Sequence, residues 1–289
     1  MKEMATNKQK TAQYNLEMKI SEEDRMLIPP KSMDYNFGDI SKVSQDEYIL
    51  KYKSYACLNI IPFLEEHGGL KTTSTLFDHG CGLGALGYAC GKYLLRPGEY
   101  FGFDIREKSI RWLKNAYQNI PTVNFSFQTV DAEHDYIALE HKNEGQKNTK
   151  PLNEIKYFDE NTPPLDIIWN HSVFTHMFPD DIIQTLQQFR DKLAPGGHLV
   201  NTWLMVDEYA KYVLRCGLAD RELPHVVQGA LTYSLKNPLI CTAYPESDVI
   251  GFYKKAGFAV KKILKGSWAG RGNSLTSQDV LIAVPDKSQ

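Results

Sequence analysis

The apolar positions of this chain change period along its length, and each change marks an element. Over residues 46–64 they recur as Tyr48, Ile49, Tyr52, Tyr55, Ala56, Ile60 and Phe63, a helical stripe. Beyond it, short β-like runs alternate with helical spacing. Residues 74–78 read as a strand, 85–95 as a helix and 100–104 as a second strand. Residues 106–119, with Ile110, Leu113 and Tyr117 on one face, read as a helix, and 123–130 as a third strand. A fourth strand over 165–169 leads to a helix over 180–193 that Pro195-Gly196-Gly197 stops, and a fifth strand follows over 198–205. This alternation predicts an α/β fold with a mostly parallel sheet and helices on both faces. A helix over 247–256 and strands over 258–265 and 279–284 finish the chain; the glycine-rich turn between the two strands predicts an antiparallel pair closing the sheet.

Three stretches fall outside the pattern. Residues 1–24 are polar and unpatterned, and read as a mobile leading segment ahead of the Met26-Leu27-Ile28 cluster. Residues 133–164 are charged and too long for an ordinary connection, and regular alternation also fails over 207–244. The expected organisation is therefore a single domain over 25–289, with a helical cap over 25–70. The two insertions, at 133–164 and 207–244, are placed to cover a binding site.

Charge and cysteine usage narrow the function. The 289 residues carry 33 Lys and Arg against 35 Asp and Glu, a net charge of -2, which provides no field for nucleic acid or an anionic membrane. No apolar run approaches the ~18 residues that span a bilayer, and the first 25 residues lack the apolar core of a leader, so a soluble, cytoplasmic protein is expected. Cys57, Cys81, Cys90, Cys216 and Cys241 form no C-x-x-C pair and read as reduced thiols, most of them buried. Cys81 lies in a glycine-rich loop, but no base is recognisable beside it.

That loop carries the chemistry. Asp78-His79-Gly80-Cys81-Gly82-Leu83-Gly84 follows the first strand and opens a helix, and Gly82-x-Gly84-x-x-Gly87 alone satisfies the dinucleotide fingerprint. Asp104 ends the second strand 20 residues past Gly84, where a carboxylate accepts both hydroxyl protons of a ribose. NAD and S-adenosylmethionine are served equally by this arrangement. The alternative role for Asp104 is to cap the next helix, and Asp78 has the alternative role of bracing the loop.

Residues 76–84 resemble motif I of the class I S-adenosylmethionine-dependent methyltransferases, and later segments agree in order: Asp131-Ala132, Trp169-Asn170-His171 and Leu193-Ala194-Pro195-Gly196-Gly197-His198-Leu199. The resemblance covers about residues 73–285. It implies a Rossmann-like, seven-stranded sheet with an antiparallel C-terminal strand. It also implies an S-adenosylmethionine site built from Asp78, Gly80, Gly82, Gly84, Asp104, Ile105, Asp131, Ala132, Asn170 and His171. The run from Ser172 to Met177 and the segments Gly266-Ser267-Trp268-Ala269-Gly270-Arg271 and Gln278-Asp279-Val280 are similar to a small-molecule branch, whose bacterial members often accompany polysaccharide or natural-product genes. The terminal antiparallel pair favours this reading over NAD folds, which continue with parallel strands.

Methyl transfer is an in-line displacement, and a hydroxyl acceptor must also lose a proton. His176, just past the fourth strand at the carboxyl edge where ligands of open α/β sheets collect, is the candidate base, with His171 as competitor. Tyr244, Trp268 and Arg271 are candidates for holding a sugar ring or a carboxylate, with core packing and a solvated charge as their alternatives. The fourth strand exits into Trp169-Asn170-His171 without an acid, so no metal is expected. The expected activity is O-methylation of a small molecule, sugar or glycan precursor. The alternatives are an NAD(P)-dependent oxidoreductase and a carboxylate or N-methyltransferase, and the oligomeric state is left open.

Overall fold

The structure is a computed structural model that describes residues 19–34, 40–130, 151–272, 274 and 276–286. A short helix, α1 (Glu22–Leu27), leads into α2 (Gln45–Ser54) and α3 (Ile61–Gly68), which are joined without interruption by a π-helical turn (Tyr55–Ile60). The expected single helix is thus widened in its middle. Pro62 is the physical reason: it has no N–H to donate and its ring collides with the carbonyl one turn back, so the preceding turn opens.

The sheet strands follow as β1 (Thr75–His79), β2 (Glu99–Asp104), β3 (Asn124–Thr129), β4 (Leu165–Asn170) and β5 (Leu193–Trp203). Between them run α4 (Ala85–Tyr93), α5 (Glu107–Tyr117) and α6 (Pro179–Lys192). Past β5 come β6 (Met205–Val206), α7 (Glu208–Arg215), β7 (His225–Val227), β8 (Ala230–Thr232), β9 (Thr242–Pro245), α8 (Glu246–Lys255), β10 (Phe258–Leu264) and β11 (Asp279–Pro285). Seven strands form one sheet in the order β10-β11-β5-β4-β1-β2-β3. All neighbours are parallel except that β11 runs antiparallel to both β5 and β10, the closing pair expected. Pro195-Gly196-Gly197 is not a turn ahead of β5 but its irregular first part, where the register against β4 shifts between Leu165 and Ile167.

Alternate residues of the strands fill two cores. Leu76, Tyr100, Ile167, Val200 and Ile282 pack under α2 to α5, while Phe77, Phe103, Ile168, Leu199 and Leu281 pack under α6 and α8. A third cluster, with Leu204, Val206, Ala243 and Trp268, belongs to a small lobe. This lobe takes up the stretch 207–244 together with β6 and residues around Trp268, and it is regular: β6, β9, β8 and β7 form a separate four-stranded sheet. Of the other insertion, residues 151–164 are described; Ile155 and Tyr157 are buried in the second core. Among the described residues no helix is long and apolar enough to cross a membrane.

Asp24, assigned by its polar surroundings to the leading segment, is buried. Ser21 and Asp24 form a reciprocal cap on α1. The same carboxylate accepts from Lys53 Nζ at 2.8 Å and from the Tyr88 hydroxyl at 2.5 Å, which ties the cap to α4. Burial pushes the Asp24 carboxyl up, but the bonds from Lys53, Ser21 and Tyr88 outweigh it and bring the group from 3.8 down to about 2. Asp24→Ala is expected to cost about 3 kcal/mol at pH 7 in urea denaturation, because it strands Lys53 and a buried hydroxyl. A depressed carboxylate stabilises above its unfolded value, so the difference between variant and wild type should shrink as pH falls through 3.8 towards about 2. A pH-independent difference would show that shape, not charge, is what Asp24 contributes.

Candidate active site

A cavity of about 620 Å³ opens at the carboxyl ends of β1, β2 and β4, bounded by the cap on one side and by Arg221 of the lobe on another. The glycine loop forms its floor. Gly80, Gly82 and Gly84 all have positive φ, at 73°, 54° and 81°. Two of them are also closely packed: a Cβ on Gly80 would lie 2.3 Å from Val173 Cγ2, and one on Gly84 would lie 2.5 Å from Leu113 Cδ2. Glycine is needed at both for conformation and for space. The loop amides are anchored to β2, since Gly80 and Cys81 both donate to the Phe103 carbonyl.

Two buried carboxylates face the cavity. Asp104 accepts from the Gly82 amide at 2.7 Å with one oxygen and from the Arg106 amide at 2.8 Å with the other. It does not cap α5, whose N-cap is Arg106 without a side-chain bond. Burial pushes the Asp104 carboxyl above its ordinary value, against the lowering by those two amides, the Arg106 charge and the Ile105 amide. Asp78, buried in β1, accepts from the Tyr100 hydroxyl at 2.5 Å. Burial carries it to about 7, with the nearby Asp104 charge adding to the rise and Tyr100 opposing it. No cation pairs with Asp78 among the described residues.

These observations test the fit of a cofactor. A carboxylate has about four lone-pair sites, and the Gly82, Arg106 and Ile105 amides do not use all of them, so Asp104 can still accept from a ribose hydroxyl. A pair of under-compensated acids beside the loop repels a pyrophosphate and attracts a cationic ligand. S-adenosylmethionine, with its sulfonium and ammonium, fits this floor.

At the β4 end, Trp169 and His171 stack with ring centroids 5.5 Å apart, and both line the cavity. Burial lowers His171 to about 4, so its ring is neutral at physiological pH. His176 follows in a 3-10 turn (Phe174–His176) and also lines the cavity. Its Nδ1 is 2.9 Å from the Leu239 carbonyl oxygen. A carbonyl only accepts, so Nδ1 carries a proton, and in the neutral ring Nε2 has the lone pair.

The other expected residues are distributed as follows. Ile105 lines the cavity, whereas Asn170 is in the core, where its Oδ1 accepts from His79 Nδ1 at 2.9 Å. Asp131 and Ala132 lie outside the described residues. Tyr244, Trp268 and Arg271 are not brought to the cavity wall. Tyr244 is buried and its hydroxyl donates to the Met177 carbonyl at 2.6 Å, bracing the turn that holds His176 from behind. Trp268 is buried in the lobe and donates to Asp279 at 2.7 Å, and Arg271 pairs with both oxygens of Asp207 at 2.6 Å, over the Tyr209 ring. Cys81 is buried, and burial holds its thiol protonated. Sequence reasoning missed Tyr52, Tyr55 and Ile60, which the widened turn before Pro62 and the helix ahead of it present to the cavity. It also missed Tyr157 and Arg221. Pro62 inside a helical stripe was the available signal.

Residues 77–199, the glycine loop through most of β5, match the family described as methyltransferase domain. Solved structures share the architecture. A SAM-dependent methyltransferase from Methanosarcina mazei is 13% identical with a TM-score of 0.50, over 79% of this chain and 99% of its own. The PH0226 protein from Pyrococcus horikoshii is 15% identical with a TM-score of 0.51, over 87% of this chain and 100% of its own. Sheet order, glycine loop and domain match together support a methyltransferase enzyme. The domain match favours this over the oxidoreductase alternative.

Proposed function

We propose that the protein transfers a methyl group from S-adenosylmethionine to a hydroxyl of a small molecule, sugar or glycan precursor in the cytoplasm. The observation that carries the hydroxyl is His176, a cavity-lining imidazole whose Nδ1–H is committed to Leu239, so that Nε2 is the basic nitrogen. When bound, S-adenosylmethionine supplies a methyl on a positively charged sulfur, already activated for displacement. Asp104 would accept the ribose hydroxyls, and Asp78, held by Tyr100, braces the strand end beside the glycine loop. Val173 packed on Gly80 keeps that loop in place. His176 takes the acceptor proton as the oxygen attacks, while Tyr52, Tyr55 and Trp169 exclude water and present flat apolar faces to a ring. Arg221, which also lines the cavity, supports carboxylate methylation as the second reading.

The test is incubation of the protein with isotopically labelled methyl donor and a fractionated metabolite extract, read by product mass and fragmentation. A labelled methyl ether is the expected product. A labelled ester would replace the first reading with the second, and no protein-dependent label in any fraction would count against both.

A further inference from the structure

Ser172 follows β4 and His171 at the cavity wall and has φ of 60°, a conformation that side chains other than glycine rarely adopt. A closed ring of hydrogen bonds surrounds it. The Ser172 amide donates to Thr202 Oγ1 at 2.7 Å, Thr202 Oγ1 donates to Gln278 Oε1 at 2.5 Å, and Gln278 Nε2 donates back to Ser172 Oγ at 2.9 Å. Each donor and acceptor role is used once and consistently. The three residues come from the exit of β4, from β5 and from the approach to β11, so the ring fastens the turn to the central sheet.

What the turn sets is visible on both sides of it. Val173, the next residue, fills the space a Cβ on Gly80 would need, and the His176 amide donates to the Val173 carbonyl at 2.9 Å. The Ser172 backbone therefore fixes the glycine loop and the 3-10 turn of His176 together. We infer that Gln278 and Thr202 are positioning residues for methyl transfer: they hold Ser172 in its left-handed conformation, and through it align the cofactor loop with His176. The inference rests on the proposed use of the cavity only for its catalytic consequence; the clamp itself is a property of the free protein.

Glycine adopts this conformation without restraint, and this gives a decisive test. Hydrogen exchange of the peptide spanning residues 172–177 in the ligand-free protein is measured for wild type, Gln278→Ala, Ser172→Gly and the double variant, with S-adenosylhomocysteine affinity by calorimetry on the same samples. Gln278→Ala is expected to speed exchange in the peptide about tenfold and to weaken S-adenosylhomocysteine about tenfold. With Ser172→Gly also present, Gln278→Ala should change either quantity by less than about twofold. Gln278→Glu should behave as wild type at neutral pH, because the Ser172 hydroxyl can turn to donate to it. Thr202→Val, which keeps shape and removes the same ring from the other side, serves if Gln278→Ala does not fold. Equal effects of Gln278→Ala with and without Ser172→Gly, or no effect on exchange, would overturn the clamp. Absence of S-adenosylhomocysteine binding by wild type would instead overturn the cofactor reading and leave the exchange result to decide the clamp.

Discussion

Asp104→Ala is expected to weaken S-adenosylhomocysteine binding by about 1.5 to 3 kcal/mol, roughly 10- to 150-fold in Kd by calorimetry. The carboxylate has two roles, and the measurement must separate them. With no ligand it accepts the Gly82 and Arg106 amides and so braces the loop. With ligand, the proposed role is to accept from the ribose hydroxyls as well. A bracing role alone would lower Tm of the free protein and leave the affinity unchanged in the folded variant, and that outcome would remove Asp104 from the binding site. The pH dependence has a definite sign. The ionised group is the stronger acceptor for a hydroxyl proton, and burial places its titration above the ordinary 3.8. Affinity of the wild type should therefore fall as pH is lowered, beginning at a higher pH than an exposed aspartate would dictate, and the variant should lack this limb.

Much of this floor was legible because its requirements are local. A glycine loop between a strand and a helix, with an acid ending the next strand, places a ligand site within about 30 consecutive residues, and periodicity locates the strands. The alternation of Leu76 and Phe77 between two cores is the same period that reveals β1 in the sequence. The antiparallel ending was legible too, since two strands separated by a short glycine-rich stretch return on each other.

What failed to show in the sequence depends on distance along the chain. Strands β7 and β8 have three residues each, too few for a period, so the lobe read as irregular. Trp268 and Arg271 carry residue types suited to a ligand, but their partners Asp279 and Asp207 decide their place. Asp279 is buried and accepts from the Met205 amide, the Gly266 amide and Trp268 Nε1, which bolts the lobe to β11. The segments 266–271 and 278–280 thus act in part by joining elements. Gln278 and Ser172 are 106 positions apart, and only the crossing of β5 by β11 brings them together.

His176→Ala is expected to lower turnover by ~10²-fold or more while S-adenosylhomocysteine affinity stays as in wild type, measured with the acceptor that the labelled-donor screen returns. The expectation follows from how the ring is held. Leu239, on the lobe side, takes the Nδ1 proton, and the turn after Ser172 sets the backbone, so tautomer and direction are both constrained before any acceptor arrives. A base must be unprotonated to act. The wild-type rate should therefore rise with pH as the imidazole loses its proton, and level above that. Removal of the imidazole should abolish that limb as well as the rate. His171, stacked on Trp169 and neutral through burial, gives the control: His171→Gln should leave the limb in place, whatever it does to affinity. If His176→Ala turns over at the wild-type rate with the same pH profile, no proton is being removed there. The acceptor is then a group already ionised, and Arg221 becomes the cavity residue to test.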